Sequence, residues 1–69
     1  MHVIEELQKF GLTKIEAQVY YELLKFPNSN GSQISKRIET PRTSVYMALE
    51  KLYSTGFIHM IPGLNERKN

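Results

Sequence analysis

The segment from Pro41 to Gly56 constrains the fold of this chain more than any other. Its apolar residues recur at the spacing of one helical face, so the segment is predicted to form a helix with one buried stripe: Val45, Ala48, Leu49 and Leu52. We expect Thr40 to cap the first turn through its hydroxyl and Pro41 to occupy the first helical position, where no N–H is needed. Gly56 is expected to end the helix in a left-handed conformation.

The opposite face of this helix carries side chains that suit contact with nucleic acid. Thr43 and Met47 point away from the stripe, where either can touch a thymine methyl group or a groove edge. Arg42 and Ser44 lie in the first turn, where arginine suits a phosphate or a guanine contact equally. Tyr46 lies at the edge between the buried and the outer face. This position fits a phosphate contact and partial packing against the core equally well. We interpret this segment as a recognition helix for the major groove of double-stranded DNA, although simple surface exposure also fits each position.

Three further helices are predicted ahead of the recognition helix. The first covers residues 2–10. The second begins with a capping box of Thr13 and Glu16 and runs to about Phe26. The third is short, about Ser32 to Ile38, and a tight turn leads from it to the recognition helix. Two helices joined by so short a connection are the layout of a helix-turn-helix.

The second predicted helix is more apolar than one small core requires. Its extra apolar residues lie outside the main stripe: Ala17, Tyr20, Tyr21 and Leu24. This helix is therefore either central and nearly enclosed, or part of it meets another subunit. A dimer that reads a palindrome gains affinity over a single module. We accordingly expect a homodimer through the first two helices.

After Gly56 the pattern changes from helical to β. The run from Phe57 to Ile61 is β-rich and is followed by Pro62 and Gly63, which predicts a strand. A strand, a turn and a basic segment after a recognition helix are typical of a wing. The predicted fold is therefore mainly α: a winged helix-turn-helix of four helices followed by a short β wing, with the helix-turn-helix over about 32–56 and the wing over about 57–69.

The chain of 69 residues is expected to form a single domain, from 1 to 69, that buries only about 60% of its unfolded surface. It has no cysteine, so neither a disulfide nor a Cys/His zinc site can stabilise it. The absence of cysteine is compatible with a reducing, cytoplasmic location. No apolar run approaches the roughly 20 residues of a membrane span.

Positive charge is concentrated in the half that contains the recognition helix. The net charge is +2, but residues 1–30 hold three lysines against four glutamates, and residues 31–69 hold six basic residues against three glutamates. A polyanion-binding face needs such an asymmetry, and chance clustering on a solvated surface fits it equally. The candidate phosphate contacts are Lys36, Arg37, Lys51 and, in the wing, Arg67 and Lys68.

Two segments, GLTKIEAQVYYELLKF and QISKRIETPRTSVYMALEKLYSTGFI, resemble the N-terminal winged-helix domain of the TrmB-like transcriptional regulators. The resemblance covers about residues 7–61 and implies sequence-specific DNA binding by a transcriptional regulator. The positions that match the family pattern are Gly11, Leu12, Thr13, Glu16, Ala17, Tyr20, Pro41, Arg42, Thr43, Val45, Tyr46, Leu49, Leu52 and Gly56.

The chain departs from the family pattern in two respects. Glu39 and Thr40 stand where the family usually has glycine and an apolar residue. A glutamate in a left-handed turn costs on the order of 1 kcal/mol relative to glycine, so we expect a differently built turn in which Ile38 takes over part of the apolar packing. The family also carries a C-terminal sugar- or effector-sensing domain, whereas this sequence ends inside the predicted wing. It is either an excised domain or a free-standing regulator, and ligand sensing is not carried over.

Two other classes of function are weighed against DNA binding. A winged helix that binds protein rather than DNA would explain the low net charge and the short wing. An enzyme is not expected, because the sequence has no nucleophile with a base at useful spacing, no paired carboxylates in an apolar setting and no phosphate loop. We likewise expect no cofactor and no metal ion.

Overall fold

Four α-helices account for most of residues 3–60, the part of the chain that the computed structural model describes. Their bounds are α1 Val3–Gln8, α2 Lys14–Lys25, α3 Gly31–Ile38 and α4 Arg42–Ser54. The predicted order of four helices is confirmed, with small shifts at their ends. The resulting fold is mainly helical and contains a helix-turn-helix arrangement of α3 and α4.

Helix α2 is central, because it contacts each of the other three helices. Ala17 and Val19 are completely buried on it, whereas Leu24 is 57% exposed. The helix is therefore central without being enclosed. Its exposed apolar side leaves room for the subunit contact that the sequence raised as an alternative.

The core is formed by eight apolar residues from α2, α3, α4 and the segment before α2. All four residues of the predicted α4 stripe belong to it. Full burial of one large apolar side chain contributes roughly 1.5–3 kcal/mol, so this cluster is the main source of stability in so small a fold. The buried residues are Leu12, Ala17, Val19, Ile34, Val45, Ala48, Leu49 and Leu52.

Capping boxes begin both helices that support α4. At α2 the Glu16 N–H donates to Thr13 Oγ1 at 3.1 Å, and the Thr13 N–H donates to Glu16 Oε1 at 3.0 Å, as predicted. At α3 the same reciprocal pair joins Asn30 and Gln33, with both distances 2.9 Å. This second box has the amide residues in place of Thr and Glu, and the sequence reasoning missed it. Asn30 also explains why α3 begins one residue earlier than expected.

The predicted cap of α4 is wrong. Helix α4 begins at Arg42, its N-cap is Pro41, and no side chain caps it. The Thr40 hydroxyl instead donates to the Ile38 carbonyl at 3.2 Å. Thr40 lies one position too early to cap α4, and the end of α3 offers its hydroxyl an acceptor close by.

Gly56 ends α4 with a φ of 90°, which confirms the predicted left-handed stop. The Phe57 N–H donates back to the Leu52 carbonyl at 2.9 Å, and the Gly56 N–H to that of Tyr53 at 3.2 Å. This pairing is a Schellman motif, so the first backbone groups after the helix are bound to the helix itself.

The predicted β wing is not confirmed, because residues 57–60 contain no strand. Phe57 packs against the core, and its ring meets Tyr20 edge-on at 5.7 Å between centroids. The apolar character that predicted a strand here serves to cover the core. The remainder of the predicted wing, with Arg67 and Lys68, lies outside the described residues.

Candidate nucleic-acid interface

The turn between α3 and α4 sets the direction of the candidate recognition helix. Glu39 adopts the left-handed conformation there, with φ 55° and ψ 49°. The expectation of a differently built backbone is therefore wrong, because the chain keeps a left-handed residue here although it is a glutamate. Ile38 does pack against the core, as expected. Ser35 holds the turn from both sides, since its carbonyl accepts from the Thr40 N–H at 3.0 Å and its hydroxyl donates to the Thr40 carbonyl at 2.5 Å.

The outer face of α4 carries Thr43, Met47 and Glu50, all exposed. At 100° per residue, Thr43 and Met47 lie roughly 150–170° from the centre of the buried stripe. Met47 is 70% exposed, so its side chain is available to an apolar group such as a thymine methyl. Glu50 gives this face one negative charge. A carboxylate here disfavours phosphate but can accept from a cytosine amino group.

One flank of α4 faces α3 and carries Arg42 and Tyr46. The Arg42 guanidinium donates through Nη1 to Ser32 Oγ at 3.2 Å, which joins the first turns of the two helices. The Tyr46 ring lies so close to Gly31 that a Cβ at that position would overlap Tyr46 Cζ. Partial packing of Tyr46, one of the two roles considered for it, is thus present.

The other flank of α4 faces the start of α2. Ser44 and Lys51 line a shallow cleft of about 400 Å³ there, together with Thr13 and Glu16. Lys51 is exposed, and Ser44 is half-buried. The start of α2 therefore lies beside the outer face of α4, so a long ligand on α4 would also pass along it.

The two basic residues of α3 differ in their surroundings. Lys36 is exposed. Arg37 donates through Nε to Glu22 Oε1 at 2.7 Å and through Nη2 to Ser29 Oγ, and its guanidinium lies 4.6 Å from the ring centroid of Phe26. A phosphate contact by Arg37 therefore has to share a guanidinium that already joins α3 to α2. No periodicity could reveal this pair, because its partners lie on different helices.

Glu22 is the buried acidic residue of α2, with 9% of its surface exposed. Burial raises the pKa of its carboxyl group. The hydrogen bonds and positive charges of Arg37 and Lys25 outweigh that effect, so the pKa of Glu22 lies below its ordinary value. The carboxylate is charged at neutral pH and balances part of the basic charge of α3.

Residues 3–60 contain neither a cluster of potential metal ligands nor a membrane-spanning helix. No three potential ligands from His, Cys, Asp and Glu lie together there as a metal site would require. No helix in that range is long and apolar enough to cross a membrane.

Comparison with known proteins assigns the chain to a family. Residues 7–67 match the family described as "Sugar-specific transcriptional regulator TrmB". The chain belongs to the TrmB family. The resemblance inferred from the Gly11-Leu12-Thr13 start and the PRTSVY motif is confirmed. The family is described as one of transcriptional regulators.

Two relatives are similar over most of this chain. The HTH-type sugar sensing transcriptional regulator TrmBL1 of Pyrococcus furiosus is 38% identical over 61 residues, which are 88% of this chain and 18% of the relative. The uncharacterized protein MJ1082 of Methanocaldococcus jannaschii is 35% identical over 57 residues, 80% of this chain and 48% of the relative. The chain thus spans less than half the length of either. No solved structure matches it.

Proposed function

We propose that this TrmB-family region binds double-stranded DNA sequence-specifically, with α4 in the major groove, as part of a transcriptional regulator. The observation that carries the proposal is the outer face of α4, which is exposed and has no second apolar stripe to bury. The helix itself follows the turn of a helix-turn-helix. In a helix-turn-helix the second helix enters the major groove while the first crosses the backbone. Helix α4 holds the position of that second helix.

The exposed side chains divide into base and phosphate contacts. Thr43 and Met47 lie farthest from the core and are the candidates for base edges. Arg42 contacts phosphate or guanine. Phosphate contacts in the proposal come from both flanks of α4, from α3 and from the wing: Ser44, Tyr46, Lys51, Lys36, Arg37, Arg67 and Lys68.

The decisive test replaces Arg42 with alanine. Arg42 is exposed and reaches only Ser32 within residues 3–60, so Arg42→Ala should leave folding intact. Loss of an arginine contact should weaken binding by roughly 5- to 150-fold, the equivalent of about 1–3 kcal/mol. Duplexes selected by the wild-type protein from a randomised pool serve as the probe in a gel-shift titration.

Lys9→Ala is the matched control for Arg42→Ala, because Lys9 is an exposed cation directly after α1, a helix that does not contact α4, and its partner is Glu6 at 3.4 Å. It should bind as the wild type does. Unchanged affinity of Arg42→Ala would remove Arg42 from the interface. If the wild-type protein selects no duplex, and if its residual binding to random duplex DNA does not depend on salt, DNA is the wrong partner. The alternative function, binding to another protein, is then favoured.

We further propose a homodimer through α1 and α2, in a protein that acts in the cytoplasm. The support for the dimer is the exposure of large apolar side chains in this part of the chain: Phe10, after α1, is 74% exposed and Leu24, on α2, is 57% exposed. A two-fold dimer would present two copies of α4 to a palindrome. The sugar sensing named for TrmBL1 is not extended to this chain, which spans 18% of that protein.

A further inference from the structure

The contact between Arg42 and Ser32 bears on which part of DNA Arg42 reaches. Ser32 is the second residue of α3, and its hydroxyl oxygen accepts from Arg42 Nη1 at 3.2 Å. An arginine carries five N–H donors in a planar fork, so one bond to serine leaves the other donors of the fork for a ligand. Within residues 3–60 the Arg42 side chain makes no other hydrogen bond or ion pair.

The position of Arg42 on α4 favours the DNA backbone over the bases. It lies roughly 70° from the centre of the buried stripe, on the flank facing α3, whereas Thr43 and Met47 lie roughly 150–170° away. The bond to Ser32 draws the guanidinium further toward the first turn of α3. In a helix-turn-helix this first helix crosses the backbone, so phosphate is the DNA group nearest to that turn.

Ser32 itself has the chemistry to share such a ligand. A hydroxyl that accepts from a guanidinium keeps its own proton, which can donate to a second acceptor. A phosphate oxygen bound beside Arg42 would lie within reach of that proton. Neutral hydroxyl and charged guanidinium would then hold one phosphate from two helices.

We infer that Ser32 is a positioning residue that holds Arg42 as a DNA-backbone contact. Arg42 then supplies affinity for any duplex, and the choice of sequence rests with Thr43 and Met47. This inference rests on the proposed DNA binding and decides between the two roles left open for Arg42. Phosphate contacts fix register without reading sequence, so the two roles differ in what a variant loses.

The first experiment measures Arg42→Ala on two probes: the duplex selected by the wild-type protein and a duplex of unrelated sequence. A backbone contact predicts equal fold-losses on both, and a log–log salt slope smaller in magnitude by about 0.9. A loss confined to the selected duplex, with altered base preference in a new selection, would assign Arg42 to guanine and overturn the inference. Absence of wild-type binding to either probe would instead defeat the proposed function.

The second experiment tests Ser32 through Arg42. Ser32→Ala should lower affinity about 2- to 10-fold on both probes, as expected for one lost hydrogen bond, and Ser32→Thr should restore it. In the Arg42→Ala background Ser32→Ala should lose little more, because positioning requires the arginine. Equal losses in both backgrounds would show that Ser32 acts independently of Arg42 and would contradict its positioning role.

A measurement on the free protein separates the contact from DNA binding. Ser32→Ala should shift the Nε–H resonance of Arg42 in nitrogen-15 NMR spectra and lower its order parameter. Ser54→Ala is the matched control, because it removes an exposed serine hydroxyl at the opposite end of α4. It should change neither the Arg42 resonance nor the affinity for either duplex. An unchanged Arg42 resonance in Ser32→Ala would contradict the contact itself.

Discussion

Glu39 is the residue other than glycine that takes a positive φ within residues 3–60. A side chain with a Cβ in that conformation costs roughly 1–2 kcal/mol relative to the right-handed region. The two hydrogen bonds between Ser35 and Thr40 and the burial of the α4 stripe hold it there. The turn is therefore maintained by its surroundings against the preference of its own residue.

Glu39→Gly should stabilise the fold. Glycine removes the strain at this position but loses more conformational entropy on folding, so the net gain in free energy of unfolding is expected to be about 0.5–1 kcal/mol. Chemical denaturation followed by circular dichroism measures it. Glu50→Gly is the matched control: it lies in the exposed interior of α4, where glycine should cost about 1 kcal/mol. A loss of stability in Glu39→Gly would mean that the glutamate is not strained.

At the scale of elements, the ion pair between Glu22 and Arg37 joins α2 to α3. Its charges are partly shielded from water, since Glu22 is buried and Ser29 and Phe26 flank the guanidinium. Only Glu22 is buried, so removing Arg37 would leave a buried carboxylate without its partner, which is costly. The pair therefore fixes the placement of α3, which positions the turn into α4.

Glu22→Gln should lower the free energy of unfolding at pH 7 by about 1–3 kcal/mol, since it removes hydrogen bonds to a charged acceptor. The folded-state pKa of Glu22 lies below its ordinary value of 4.5, so its contribution is present above that pH. It is lost as the pH falls through the lowered pKa. The difference in free energy of unfolding between the wild type and Glu22→Gln, measured by denaturation at a series of pH values, should decrease toward zero in acid.

Glu6→Gln is the control for that measurement, because Glu6 pairs with Lys9 at the surface at 3.4 Å, with both side chains exposed. It should change stability by less than about 0.5 kcal/mol at either pH. A gap for Glu22→Gln that persists unchanged into strong acid would contradict the assigned role of the carboxylate.

What the sequence could predict follows from the kind of information it carries. Periodicity reports which face of a helix is buried, and the α4 stripe was predicted correctly on that basis. Local spacing reports caps, and the box at Thr13 followed from it. Contacts between helices depend on how elements pack, so the partners of Arg37 and Arg42 could not be predicted. The prediction that Thr40 caps α4 was wrong for a related reason, because its hydroxyl donates to a carbonyl of the preceding helix.

At the scale of the whole molecule, the described residues leave several large apolar side chains exposed. A small domain cannot cover all its apolar surface, so single exposed residues need no explanation. Three of them belong to α1 and α2 or directly follow one of these helices: Phe10, Leu24 and Phe26. The full set is Phe10, Leu24, Phe26, Met47, Tyr53 and Met60.

The proposed homodimer predicts a mass that depends on concentration. Sedimentation equilibrium of the wild-type protein should show association, and Leu24→Lys should weaken it because a buried, unpaired charge is unfavourable at an interface. Tyr53→Lys is the control, since Tyr53 is 51% exposed and belongs to α4, which is not part of the proposed dimer interface. A monomer mass at every concentration would refute the dimer while leaving the DNA-binding proposal to its own test.

The close approach of Tyr46 to Gly31 has a consequence for how such domains can diverge. The phenol ring occupies the room that a side chain at position 31 would need, so the two positions share one volume. A larger residue at position 31 requires either another rotamer of Tyr46 or a smaller residue at position 46. Because Tyr46 belongs to the helix proposed to enter the groove, that adjustment would move its neighbours relative to the bases. A substitution at position 31 can then change which DNA sequence is preferred, although residue 31 need not contact any base.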